Sequence, residues 1–139
     1  MLKGLSTSQL ATAKLDAVYN DLVLGPGKDW AFPTTAEGVP VSALSAAQRK
    51  LVLAAISTYV GDIADEDAAK ILARYTDELD DTRIAWSGTT ELTEQNDYAR
   101  IDGPSVWIEF SMQRGIVLSG NHPHSVWRDR TTDYGGTKA

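Results

Sequence analysis

YARIDGPSVWIEFS, residues 98–111, alternates in a way that only extended chain explains. Ala99 and Ile101 oppose Tyr98, Arg100 and Asp102; past the turn, Val106, Ile108 and Phe110 oppose Trp107, Glu109 and Ser111. Successive strand side chains point to opposite faces, so each segment has one apolar side and one polar side with aromatics. Asp102-Gly103-Pro104 between them spells a tight turn joining two antiparallel strands. An apolar sheet face needs a cover, and the polar face is where chemistry is expected.

Working outward, TRIAWSG (82–88), GIVLSG (115–120) and SVWRD (125–129) read as further short strands set off by Gly, Asn and Pro. Upstream the period is helical. Ser6 with Gln9 fits a capping box. Ala11, Leu15, Val18, Tyr19 and Leu22 continue at helical spacing to a stop at Gly25-Pro26. Ser45 with Gln48 repeats the cap, and Val52, Ile56, Tyr59 and Val60 follow before Gly61. LSTSQ and LSAAQ look alike, although shared capping physics explains the likeness as well as a repeat does. A third helix starts at Asp65-Glu66-Asp67, where carboxylates suit the positive end of the helix dipole, with an apolar stripe of Ala68, Ile71, Leu72, Tyr75 and Leu79. GPGKDWAFPTTAEGVPVS (25–42) is a long loop whose Trp30 and Phe32 favour packing over the core as a flap.

The expected fold is therefore one α+β domain. Three N-terminal helices (about 6–81) pack on one face of a C-terminal antiparallel sheet of four or five short strands (about 82–130). A disordered tail follows at 135–139.

Bulk properties agree. The chain has 139 residues, 42 % hydrophobic and 23 % charged, enough for one core. Its net charge of −6 argues against a nucleic-acid partner. The eight acidic residues between Asp62 and Asp81 read as a solvated helix and its flanks. No apolar run reaches the roughly 20 residues of a membrane span. The start, MLKGLSTSQL, lacks a secretory signal, so a cytoplasmic location is the default expectation. Cysteine is absent, which excludes thiolate metal sites, disulfides and a cysteine nucleophile.

Chemistry is hinted at in one place, GNHPHSVWRD (120–129), which holds both histidines of the chain. Residues two apart on an extended segment share a side, so His122 and His124 can aim at one point, and Pro123 stiffens the spacer. Imidazole suits Zn or Cu, but two donors are not a site. Glu109, Asp129 or Asp133 is a candidate third ligand. The alternative is two loop histidines hydrogen-bonded to their neighbours. Arg128, on the histidine side, can clamp a small anion or form a surface pair with an aspartate. Glu109 is an unusual mid-strand residue; it is a ligand, a general base or the cross-strand partner of Arg100, the last being the ordinary outcome. LGPGKD (24–29) is a helix stop rather than a phosphate loop, and DIADED (62–67) is a helix start rather than a calcium loop.

RIDGPSVWIEF (100–110), HPHSVWRDRTTDYGG (122–136) and GPGKDWAFPTTAEGVPVSAL (25–44) together resemble the bacterial domain-of-unknown-function family 3500, in its middle and closing portions. The resemblance implies no substrate, because the family has no established function. It implies longer members whose earlier part carries an adjacent histidine pair after Gly, which this chain lacks. The chain then resembles a C-terminal piece, a truncated member, or half of a split protein whose partner chain supplies the rest. The resemblance also implies a metal or catalytic role for His122 and His124, with Arg128, Asp129 and Asp133 in support. The competing reading is a non-catalytic ligand- or protein-binding domain with Trp107, Trp127 and Tyr134 as contact surface.

Overall fold

A computed structural model describes residues 1–117 and 119–133. Helix α1 spans Thr7–Ala13, α2 Ala46–Val60 and α3 Asp65–Asp77. Strands β1 (Val39–Pro40), β2 (Arg83–Ser87), β3 (Tyr98–Asp102), β4 (Val106–Arg114) and β5 (Asn121–Asp129) form one antiparallel sheet in sequence order, so β1 and β5 are its edges. The tail at 135–139, and Tyr134, lie outside the described residues.

The two capping boxes are both formed: Ser6 accepts from the Gln9 amide and Ser45 from the Gln48 amide. They also meet. Gln9 Nε2 donates to the Ala43 carbonyl (3.2 Å), and Gln48 Nε2 donates to the Gly4 carbonyl (2.8 Å) and to Gln9 Oε1 (2.7 Å). A 3-10 turn precedes each cap, Leu2–Gly4 and Val41–Ala43. The likeness of LSTSQ and LSAAQ is thus one local unit used twice and joined by its glutamines.

One hydrophobic cluster draws Val52, Ile56 and Val60 of α2, Ala68 and Tyr75 of α3, and Ile84, Ala99, Ile101, Val106 and Ile108 of the sheet into contact. The strand residues in it are those of the apolar parity. Each fully buried aliphatic side chain contributes about 1.5–3 kcal/mol. The β3–β4 turn closes with the Gly103 amide donating to the Val106 carbonyl (2.8 Å). A side chain at Gly103 would sit 2.6 Å from Thr82 Oγ1, so the turn needs glycine.

Two expectations fail. Helix α1 ends at Ala13, not at Gly25-Pro26. The chain there leaves the helix to join the sheet: Lys14 bridges Trp86, and the Leu15 amide donates to the Trp86 carbonyl (2.7 Å). Leu15, Tyr19 and Val23 pack instead on Ala85 and Tyr98, and Tyr19 stacks on Tyr98 at 4.0 Å between centroids. Their spacing follows that polar-parity face, not a helix. GIVLSG is not a strand either. Its described residues form the β4–β5 connection, closed by the Gly115 amide on the Gly120 carbonyl (2.9 Å). The fifth strand is the short β1.

The loop 25–42 does pack through its own aromatics, with Phe32 edge-on to Trp107 at 6.1 Å and the Arg130 guanidinium over Phe32. Two buried carboxyl groups also fasten connections. Asp97 accepts from the Thr89 amide and hydroxyl (both 2.6 Å) and from the Thr93 and Glu94 amides (both 2.9 Å). Asp129 accepts from Tyr75 Oη (2.7 Å), the Thr131 amide (2.8 Å) and Arg74. Burial raises both groups, but their hydrogen bonds prevail and hold both below the ordinary 3.8. A carboxyl group depressed in the folded state adds stability that is present above its unfolded value and lost as pH falls through its folded one. Urea midpoints should therefore drop steeply below about pH 4. Asp97→Asn should lower the midpoint at pH 7 and flatten that acid limb, so that the two curves converge. Parallel curves from pH 7 to pH 2.5 would contradict this assignment.

Candidate functional site

The polar-parity face of β4 and β5 sets Trp107 opposite Arg128, Glu109 opposite Val126, Ser111 opposite His124 and Gln113 opposite His122. At its far end the two imidazoles converge. His122 Nε2 and His124 Nε2 lie 2.9 Å apart, the rings tilted by 60°. Both sit on an edge strand, His122 exposed and His124 half-buried. Gln113 donates to Ser111 Oγ beneath them.

The third member comes from 103 positions away: Asp21 Oδ1 lies 2.8 Å from His124 Nδ1. Burial opposes ionisation of Asp21, but the His124 hydrogen bond, the Leu22 amide and both imidazoles hold its carboxyl below the ordinary carboxylate value. An ionised carboxylate only accepts, so His124 Nδ1 carries a proton, and in the neutral ring its Nε2 presents a lone pair. In the neutral pair His122 Nε2–H then donates to it. A cleft of about 550 Å³, lined by Arg114, Ile116, Val117, Asn121 and both histidines, opens on one side. A second, of about 440 Å³ between Asp21, Leu24, Pro26 and Val126, opens on the other side of His124.

The other candidate residues are placed elsewhere. Glu109 is fully buried and accepts from the Val23 amide (2.7 Å), the Leu24 amide (2.8 Å), Tyr98 Oη (2.5 Å) and Trp107 Nε1 (2.8 Å). It does stand opposite Arg100 in the ladder, but Arg100 pairs with Glu37 at 2.8 Å; four donors from its own side already take up the Glu109 oxygens. Arg128, also buried, donates to the Leu24 (3.2 Å) and Lys28 (3.0 Å) carbonyls and to Asp29, and its Nε lies 2.8 Å from Asp133. Asp133 accepts in turn from the Trp30 amide (2.6 Å). Asp129 faces the other way, toward Arg74 and Tyr75 of α3. Among the described residues no group of three or more His, Asp and Glu is placed to hold a metal ion. Trp107 is fully buried, and Trp127 is partly buried against the core.

Sequence reasoning did not find Asp21, because it lies in the stretch read as helix. Nothing local signals that this stretch crosses to β5.

Fold and site together define an α+β domain with a five-stranded antiparallel sheet and an Asp-supported His-x-His pair on an edge strand. No helix among the described residues is long and apolar enough to cross a membrane. A family model described as protein of unknown function (DUF3500) matches residues 1–136, and the chain belongs to that family. No curated protein and no solved structure matches the chain.

Proposed function

We propose that His122 and His124 supply two Nε2 donors to a transition-metal site of Zn or Cu type serving catalysis on a small ligand. The observation that carries this reading is the 2.9 Å separation of two Nε2 atoms on an exposed strand, with the far nitrogen of one ring held by a carboxylate. Metal–imidazole bonds are about 2.0–2.1 Å, so two donors at a right angle stand about 2.9 Å apart and at a tetrahedral angle about 3.3 Å apart. The carboxylate–imidazole contact is the usual way such a donor is oriented and its basicity raised. A bound metal would supply Lewis acidity, or electron transfer in the case of copper.

The chain's own residues position the pair. In this reading the three helices cover the apolar face of the sheet, leaving the polar face to segment 14–38. Glu109 anchors that segment at Val23 and Leu24; Arg128 and Asp133 anchor it from Leu24 to Trp30. Asp21 is thereby held against His124. Arg128, Asp129 and Asp133 support the site from behind and do not touch the ligand. Water, substrate or a second protein chain would have to complete the coordination of a metal bound there.

The exposed apolar tip of the β4–β5 connection favours a second reading, a non-catalytic binding domain without metal. Metal analysis separates the two. Tag-free protein equilibrated with Zn or Cu and desalted should retain metal. His122→Ala and His124→Ala should lose it with an unchanged circular dichroism spectrum, and Asp21→Asn should weaken binding about 10–100-fold. Retention of metal by both alanine variants, or none by the wild type, overturns the metal reading.

A further inference from the structure

We infer that the chain holds a second ligand site, on the face of the sheet opposite the histidines, that takes a small, uncharged molecule with a largely hydrocarbon body. The site is a cleft of about 330 Å³ between the start of the chain, α2 and the apolar parity of β3 and β4. Ala55 and Tyr59 wall it from the helix, Ile101, Ile108 and Phe110 from the sheet, and Leu92 from the β2–β3 connection. Small-molecule sites occupy about 300–1,000 Å³ and are walled mainly by apolar side chains. The first ground is packing. Protein interiors fill to the density of organic crystals, and a helix laid on a sheet normally leaves no space of this size. Here alanine stands at two lining positions, Ala55 of α2 and Ala99 of β3, where a longer side chain would fill the cleft.

The second ground is preorganisation. Leu92 holds φ at +57°, a left-handed backbone that residues other than glycine rarely adopt. Asp97 fixes the turn around it by accepting from the Thr89, Thr93 and Glu94 amides, and Asn121 Nδ2 donates to the Thr93 carbonyl (2.9 Å). The Asn96 amide donates to the Met112 carbonyl (2.8 Å) and ties the same connection to β4. Leu92 is thus held in a strained conformation that keeps it on the cleft wall, and such strain recurs at ligand clamps. The third ground is charge. The charged residues that line the cleft are Lys3 and Arg100. The buried Arg100 guanidinium is paired with Glu37 and set over the Trp107 ring, on the other parity of the sheet. Lys3 pairs with Glu91 at 3.7 Å, and Glu91 also accepts from Thr90 Oγ1 (3.2 Å). Both cations already face an anion, so a charged ligand would enter hydrocarbon walls without a partner of its own. The Tyr59 hydroxyl suits one polar group on the ligand, as donor or acceptor. The cleft shares no lining residue with either cleft beside the histidines, so this inference is independent of the metal reading.

The test is titration of the tag-free full chain with N-phenylnaphthylamine, an uncharged aromatic probe that fluoresces in apolar surroundings, followed by methyl NMR. Expected are saturation at one equivalent and shifts of the Ala99, Ile101 and Ile108 methyl resonances. Ala55→Phe, which fills the cleft from a half-buried helix position, should weaken binding about tenfold with an unchanged circular dichroism spectrum. Leu92→Gly, which suits the left-handed backbone and deletes the wall, should do the same. Decanoate should bind about tenfold more weakly than the uncharged probe. Undiminished binding in both variants, shifts confined to Ile116 and Val117 at the exposed tip, or a failure to saturate overturns the site. Tighter binding of decanoate, with that preference lost in Lys3→Gln, overturns the uncharged class of ligand.

Discussion

Glu109→Ala should cost about 4 kcal/mol of folding stability, a large share of the roughly 5–15 kcal/mol that holds a domain of this kind together. The carboxyl group is fully buried, and all four of its partners are donors: two backbone amides, a phenol and an indole. Removing it strands all four, and each buried unsatisfied group costs about 1–3 kcal/mol. Tyr98 shows how tightly the pocket is drawn, since burial and the adjacent Glu109 charge push its phenol well above the ordinary range. Glu109→Gln keeps the volume but turns an NH2 toward two donors, so about half that loss is expected. Urea unfolding measures the loss, and hydrogen exchange localises it: the Val23 and Leu24 amides should lose protection first. A Glu109→Ala protein within about 1 kcal/mol of wild type that instead loses metal would make Glu109 a ligand and not an anchor.

Arg128→Met should cost about 3 kcal/mol and loosen segment 24–30. The guanidinium is shared among two carbonyls and two carboxyl groups, one of them the buried Asp133. Breaking a buried ion pair from one side typically costs 3–5 kcal/mol, because the remaining charge stays buried. Arg128→Lys should be nearly as damaging, since a point charge cannot span the four acceptors that the planar fork reaches. Loss of the Lys28 carbonyl contact should expose the Lys28–Asp29 bond, so native-state trypsin cleavage there should accelerate at least tenfold. Unchanged protease resistance and stability, with loss of anion binding alone, would restore Arg128 as a ligand clamp.

Much of the sheet was legible because its information is local. Period-two alternation placed Ala99, Ile101, Val106 and Ile108 on the core side, and Asp102-Gly103-Pro104 marked the turn. The same rule put His122 and His124 on one face, where their rings do converge. The capping serines at positions 6 and 45 were readable for a similar reason, since each cap closes over three residues.

What escaped was long-range. Leu15, Tyr19 and Leu22 have helical spacing, yet the stretch that holds them is pinned to the sheet through Trp86, Tyr98 and Glu109, contacts invisible from its own residues. Asp21 went unseen with it. Arg100 and Glu109 were correctly placed opposite each other, but cross-strand register does not decide charge pairing when a loop brings Glu37 to one and four donors to the other. Ile116 and Val117 have strand-forming side chains and sit in a connection, because the glycines at 115 and 120 close the hairpin around them.

The central claim, that both Nε2 atoms serve one metal while Asp21 holds the far nitrogen of His124, is tested most directly by long-range proton–nitrogen correlation of the two imidazoles. In metal-free protein at neutral pH, His124 should appear as the Nδ1–H tautomer, and as the Nε2–H tautomer in Asp21→Asn. Sub-stoichiometric Zn should shift both Nε2 resonances together and leave the His124 Nδ1 proton in place. Two rings in the ordinary tautomer mixture, unmoved by Zn and indifferent to Asp21→Asn, would contradict it.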